Sequence, residues 1–236
     1  MKIEDIPDLN YKALNYVFEN DMVPHNGLWL EFGVYAGGTI NRIAKYAKEG
    51  RWRPIYGFDS FEGLPGPWTG RIESWDTTGT ERGSTYGAGT FSLGGVLPAV
   101  DKNVRLIKGW YKDTLPKFLN DVPCPVSFIH VDSDIYSSAK DIFNNLKDRI
   151  SNGCVIVFDE LIGYKGYEEH EWKAWGEFVA ESNVTFEWIG GNPSGYIKMI
   201  DDGRLLFERD KPPHENVSPS IENVAVKIIN NPLFKG

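Results

Sequence analysis

Carboxylates and glycines that finish short apolar runs are the residues of this chain arranged to hold a reactive ligand. Leu28-Trp29-Leu30 leads into Glu31-Phe32-Gly33-Val34-Tyr35-Ala36-Gly37-Gly38-Thr39, and Ile55-Tyr56-Gly57-Phe58 ends on Asp59. Glycines at a strand-to-helix turn let a ligand approach the backbone, and an acid about 20 residues on can accept both hydroxyls of a ribose. That much would also suit a dinucleotide. Two features move the choice. Gly33 and Gly37 have three residues between them, where the G-x-G-x-x-G fingerprint has a single one. Glu31 beside the turn would repel a pyrophosphate, whereas S-adenosylmethionine has no phosphate and presents an ammonium and a sulfonium. The glycines alone are equally a plain tight turn; with Glu31 and Asp59 they favour S-adenosylmethionine over NAD.

A second acidic set follows. Asp132 ends Val126-Ser127-Phe128-Ile129-His130-Val131, and Asp159-Glu160 end Val155-Ile156-Val157-Phe158. If these runs are neighbouring parallel strands, Asp132, Asp159 and Glu160 converge at one edge of the crevice beyond the strand ends. Convergent carboxylates repel, and a hard divalent cation is the simplest neutraliser; oxygen ligands select Mg²⁺, Mn²⁺ or Ca²⁺ over Zn²⁺. The alternative is that these acids cap helices or bond loops. Asp134, at the start of the next helix, is better explained as such a cap. A bound cation would lower the pKa of a coordinated hydroxyl and align a vicinal diol for in-line attack. For the general base the candidates are His130, on the same strand face as Asp132, and His170, in Tyr167-Glu168-Glu169-His170-Glu171-Trp172. His170 is preferred, although a surface role suits it equally; Glu168, Glu169 and Glu171 read alternatively as a solvated helix start.

The elements that must position these residues alternate. Residues 11–18 have amphipathic helical spacing, as do 39–48, 137–149 and about 169–181, while the apolar runs near 28–34, 54–59, 104–107, 126–132 and 155–159 read as buried strands. Two closing strands are expected near 184–189 and 196–200. Near-continuous apolar strands separated by helices imply an α/β fold, doubly wound, with a mostly parallel sheet covered on both faces. Residues 66–95 break the rhythm: the stretch is rich in Gly, Ser and Thr, carries Trp68, Trp75 and Tyr86, and is long enough for a lid or binding loop, with a mobile insertion as the alternative. One domain over residues 1–236 is expected, with an N-terminal helical extension (1–26) and a proline-containing C-terminal tail (212–236) that wraps the domain or a partner subunit.

Composition narrows the classes. With 41% hydrophobic and 25% charged residues the chain is globular rather than disordered, and a net charge of −8 without a basic stripe argues against nucleic acid. Cys124 and Cys154 each sit in or beside an apolar run, so they read as packing residues in a reducing compartment. No apolar run reaches the length that crosses a bilayer, and a cytoplasmic location is expected. A homo-oligomer is compatible with the aromatic N-terminal helix and the tail.

The blocks Glu31-Phe32-Gly33-Val34-Tyr35-Ala36-Gly37-Gly38 and Phe58-Asp59-Ser60-Phe61-Glu62-Gly63-Leu64-Pro65 resemble the macrocin O-methyltransferase-like (TylF-type) family. So do Gly89-Thr90-Phe91-Ser92-Leu93-Gly94-Gly95, Lys108-Gly109-Trp110-Tyr111-Lys112-Asp113-Thr114-Leu115-Pro116 and His130-Val131-Asp132-Ser133-Asp134-Ile135-Tyr136-Ser137-Ser138. The resemblance covers roughly residues 28–178. It implies a Rossmann-like class I methyltransferase fold, with a seven-stranded sheet and an antiparallel closing strand. It implies a cofactor site of Glu31, Gly33, Tyr35, Gly37, Thr39, Asp59, Ser60, Phe61, Gly109, Trp110 and Asp132, and Mg²⁺ (or Mn²⁺) at Asp132, Asp159 and Glu160. Glu160 stands where the family more often has a second aspartate. Ser60 and Phe61 would lie by ribose and adenine; Trp110 would pack on the adenine or be an ordinary buried aromatic. The expected activity is O-methylation of a sugar or another small-molecule diol, with Asp132 and His170 catalytic. The competing readings are a non-catalytic binding or assembly protein on the same fold and, with less support, an NAD-dependent oxidoreductase.

Overall fold

In the computed structural model the described residues are 13–47, 54–69, 74–75, 81–82, 86–162, 166–191, 197–199, 205–207 and 223–236. The chain runs through helix α1 (Ala13–Glu19), strand β1 (Leu28–Phe32), α2 (Gly38–Tyr46) and β2 (Ile55–Asp59), then two short strands, β3 (Ser74–Trp75) and β4 (Glu81–Arg82). It continues through β5 (Val104–Lys108), α3 (Tyr111–Asp121), β6 (Val126–Val131), α4 (Tyr136–Leu146) and β7 (Ile150–Phe158). A 3-10 turn (Tyr167–Glu169) precedes α5 (Glu171–Ser182), β8 (Thr185–Gly191), β9 (Ile197–Met199), β10 (Leu205–Phe207) and β11 (Val224–Asn230).

Seven strands form one sheet in the order β5-β2-β1-β6-β7-β11-β8. The pairs β5–β2, β2–β1, β1–β6 and β6–β7 are parallel, and β11 is antiparallel to both its neighbours. Burial on both faces explains the unbroken apolar runs: every residue of β1 and β6 is buried. On one face α3, α4 and α5 pack Leu115, Phe118, Ile142, Phe143, Trp175 and Phe178 against Phe58 and Phe158. On the other, α1 and α2 bring Leu14, Val17, Ile40 and Ile43 against Phe128, Val155 and Val157. The order in which strands are added reverses at β1, towards β2 and β5 on one side and towards β6 and β7 on the other, so the crevice above the ends of β1 and β6 is the switch point where ligands of such sheets bind.

Two expectations for the C-terminal third need correction. Residues 197–199 do form a strand, but it pairs with β10 in a separate two-stranded sheet and does not close the main one. The closing antiparallel strand comes from the expected tail: β11 inserts between β7 and β8, burying Val224, Ala225, Val226 and Ile228. Asn231 then pins the strand's end, its amide donating to the carbonyls of Lys147 and Ile150. The tail's prolines had suggested wrapping, but Pro212, Pro213 and Pro219 precede the apolar run and lie outside the described residues, as do residues 1–12 of the N-terminal extension. Cys154 is buried and Cys124 half-buried, both as free thiols.

The insertion at 66–95 is described at its two limbs and at β3 and β4, with 70–73, 76–80 and 83–85 outside the described residues. The limbs pair with each other. Trp68 and Tyr86 form a backbone bridge, and Leu64 exchanges backbone bonds with Thr90 and Gly89. Gly63 is required there, since a Cβ on its φ of +85° would lie 2.4 Å from the carbonyl oxygens of Gly89 and Thr90. Trp68 is buried with Leu64 and Ile135, which seats the insertion on the residue that opens α4.

Candidate active site

The ends of β1, β2, β6 and β7 border a cleft of about 670 Å³, a volume in the range of small-molecule sites. Of the expected cofactor residues, Gly33, Tyr35, Asp59, Ser60, Trp110 and Asp132 line it, and so do Asp159 and Glu160. Its floor is the glycine turn. Gly33 has φ +94°, and a Cβ there would stand 1.7 Å from the backbone oxygen of Asp132, so only glycine lets the turn close against the end of β6. Asp59 holds the turn in place. Its Oδ2 accepts the N–H groups of Val34 and Tyr35 at 2.9 and 2.8 Å, and its Oδ1 accepts that of Phe61 at 2.7 Å. Each carboxylate oxygen has two acceptor sites, so Oδ2 is filled and Oδ1 keeps one acceptor site for a further donor such as a ribose hydroxyl.

The structure places other expected cofactor residues away from the wall. Glu31 is fully buried, with Oε1 hydrogen-bonded to His130 Nδ1 at 3.1 Å and Oε2 without a hydrogen-bond partner among the described residues. It stands behind the wall and does not line the cleft. Burial raises its carboxyl pKa against the lowering effect of His130. Phe61 is 1% exposed and packs in the core with Val34 and Ile40, because its φ of +58° turns the chain there and its carbonyl receives Leu93 and Gly95. Gly37, Thr39 and Gly109 also lie outside the cleft lining; Gly37 caps α2 in the left-handed region, and Gly109 bonds the end of β2 through the Asp59 carbonyl.

The acids converge, with one exchange of members. Among the described residues the tight group is Asp132, Asp134 and Glu160, whose ligand atoms lie within 4.8 Å of one another. Asp134 does not cap α4: the N-cap is Ile135, with no side-chain cap bond. Instead Asp134 adopts φ +62°, a strained turn that brings its carboxyl to the same group as Asp132. Asp159 lines the cleft but faces sideways, with Oδ1 accepting Asn223 Nδ2 at 2.9 Å and lying 3.9 Å from His130 Nε2. Burial, then Asp159 and Asp134, hold the Asp132 carboxyl well above the usual carboxylate range. Burial, then Asp132 and Asp159, do the same to Glu160.

His170, expected as the base, is not in the cleft wall. It is 5% exposed, and its Nε2 donates to the carbonyl of Thr69 at 2.6 Å, tying the start of α5 to the insertion. That nitrogen is committed as a donor, since a carbonyl oxygen can only accept. Glu171, read as part of a solvated helix start, is fully buried. Sequence reasoning also passed over a row of aromatic rings on the cleft wall: Tyr35–Phe91, Phe91–Tyr86 and Tyr86–Trp68, with centroids 5.8, 5.4 and 5.6 Å apart. Tyr35 and Phe91 are exposed and both hold positive φ, which costs about 1–3 kcal/mol each and persists where a site is built. The aromatics scattered through residues 66–95 were the signal; their alignment depends on the pairing of the limbs.

A model of the macrocin-O-methyltransferase (TylF) family matches residues 10–189. A tetracenomycin 4'-O-methyltransferase of Streptomyces olivaceus, named for its rhamnosyl substrate, is 31% identical over 150 residues, 59% of this chain and 54% of that protein. The demethyldecarbamoylnovobiocin O-methyltransferase of Streptomyces niveus is 28% identical over 150 residues, 60% of this chain and 56% of that protein. The matches thus span about half the length of either relative. Among solved structures, a calicheamicin methyltransferase superposes with a TM-score of 0.55 at 22% identity, covering 77% of this chain and 73% of that one. The O-methyltransferase NovP superposes at 0.50 with 21% identity, covering 91% and 76%. At these identities the two structures speak to the fold.

Proposed function

Since the chain belongs to the macrocin-O-methyltransferase (TylF) family, we propose that it transfers a methyl group from S-adenosylmethionine to a hydroxyl of a sugar-bearing small molecule, with a divalent cation assisting. The observation that carries this reading is the meeting of Asp132, Asp134 and Glu160 beside the Gly33 turn in one cleft. Bound there, S-adenosylmethionine supplies the methyl group on a cationic sulfur. Asp59, Asp132, Asp159 and Glu160 on the walls complement that charge, and Asp59 Oδ1 presents its remaining acceptor site to the ribose. A phosphate-bearing cofactor would meet the same acids as repulsion.

The donor set fits a hard cation. Three carboxylates within 4.8 Å of one another offer oxygen ligands only, the preference of Mg²⁺ and Mn²⁺. Asp132, Asp134 and Glu160 would hold the ion, with Asp159 beside them. The ion would supply a Lewis acid that lowers the pKa of an acceptor hydroxyl. Asp132 lines the cleft and offers a carboxylate oxygen suited to accept the proton as the hydroxyl reacts. The rings of Tyr86, Phe91 and Tyr35, tilted against one another on the cleft wall, offer apolar contact to a sugar and exclude water from the reacting end. The rhamnosyl substrate in the name of the Streptomyces olivaceus relative supports a deoxysugar acceptor.

The experiment pairs calorimetry with product analysis. S-adenosylmethionine is expected to bind the folded chain, and a panel of glycosides with labelled cofactor is expected to give a methylated product that EDTA abolishes and Mg²⁺ restores. No cofactor binding at millimolar concentration would remove the reading; transfer undiminished in chelator would remove the cation from it.

A further inference from the structure

Glu171 opens α5 and has no exposed surface. Its Oε1 accepts two hydrogen bonds from a single residue, one from the backbone N–H of Ser133 and one from Ser133 Oγ, both at 2.9 Å. Ser133 is the residue between Asp132 and Asp134, and is itself 5% exposed. Two aspartates separated by one residue share a face of an extended chain, but with their Cα atoms about 6.6 Å apart. Here the positive φ of Asp134 folds the chain back so that both carboxyls join one group. That conformation is strained and the two carboxyls repel, so it relaxes unless the surroundings hold it.

Stability does not account for the clamp. A buried carboxyl, charged or neutral, costs free energy while one of its oxygens lacks a hydrogen bond, and Glu171 Oε2 has no hydrogen-bond partner among the described residues. We propose that Glu171 is a positioning residue, which grips both donors of Ser133 and thereby sets the Asp132-Ser133-Asp134 turn to the spacing a divalent ion needs. The inference rests on the cation reading of that group. It also makes α5 part of the site's scaffold: Trp175 and Phe178 pack on Phe143 of α4 at 5.5 and 5.1 Å, so the helix that carries Glu171 is fixed against the helix that follows Asp134.

The test uses the whole chain and Mn²⁺ alone, read by calorimetry and by the Mn²⁺ electron paramagnetic resonance spectrum, with S-adenosylmethionine affinity measured beside them. Glu171→Ala is expected to weaken Mn²⁺ by about 10–100-fold, the usual effect of removing a residue that orients metal ligands, and to broaden the spectrum. Glu171→Gln, which keeps an acceptor oxygen, is expected to recover most of the affinity, and both variants should bind S-adenosylmethionine as the parent does. Wild-type Mn²⁺ affinity and spectrum in Glu171→Ala would overturn the proposal, as would an equal loss of both ligands, which marks a general packing defect. If Glu171→Ala does not fold, Ser133→Ala removes only the hydroxyl donor, and an unchanged Mn²⁺ affinity there overturns it likewise. A parent chain that binds no Mn²⁺ fails at the earlier step, the cation reading itself.

Discussion

At the scale of single residues, the cleft divides two titratable side chains that the sequence made look alike. Asp132 faces the cleft among other acids, whereas His170 spends its Nε2 hydrogen on Thr69 and is absent from the wall. The expected outcome is a clean separation of roles. Asp132→Asn should lower kcat by about 10²–10⁴-fold, the usual contribution of a general base, and flatten its pH dependence. His170→Ala should keep the pH profile of kcat and show its effect, if the tie to the insertion matters, in KM for the acceptor. Pre-steady-state methyl transfer across pH checks both; a His170→Ala profile that loses its basic limb would return the base role to the histidine. The residues that reach the cleft were legible because the end of a parallel strand is a fixed place. Asp134 and Glu171 were not, because their roles depend on one unusual φ and on burial by a distant helix.

At the scale of elements, β11 is the piece whose place the sequence misjudged and whose loss would matter most. It lies between β7 and β8 and buries Val224, Val226 and Ile228. Each such side chain stabilises by roughly 1.5–3 kcal/mol when buried, a sum comparable with the whole stability of a domain, about 5–15 kcal/mol. It also brings Asn223, whose side chain joins the backbone N–H of Ala13 at the start of α1 to Asp159. A chain truncated after residue 222 should therefore show no cooperative unfolding by calorimetry or near-UV circular dichroism. A peripheral tail predicts the opposite, a truncated chain that melts cooperatively within a few degrees of the parent. Residues 224–230 were read only as part of a wrapping tail, because nothing local says that a strand arriving last will sit between two others.

At the scale of the whole molecule, the site is a store of electrostatic cost. Burial raises the carboxyls of Asp132 and Glu160 and pushes Glu171 up to about 8. An acid whose folded pKa lies above its unfolded value binds more protons when folded, so its contribution is fully present below the ordinary carboxylate range and is lost as pH rises through the folded value. Without metal, the melting temperature should fall as pH rises from about 5 towards 8. Mg²⁺ should restore it increasingly over the same window, since the ion binds the deprotonated acids. Differential scanning fluorimetry with and without Mg²⁺ checks this, and a metal-free curve that rises over the window would contradict the burial. No helix among the described residues is long and apolar enough to cross a membrane. The sequence by itself determined the parallel α/β sheet, the acids at its strand ends, the glycine turn and the family, because strand burial and strand-end position leave a periodic signature in nearby residues. Only the tertiary structure decided that Asp134 joins Asp132 and Glu160, that Asp159 turns to Asn223, that His170 holds the insertion and that β11 completes the sheet. Contacts in this part of the molecule join residues 38, 64 and 101 apart, between Ser133 and Glu171, Asp159 and Asn223, and Thr69 and His170. No periodicity along the chain encodes which distant partner a side chain will meet.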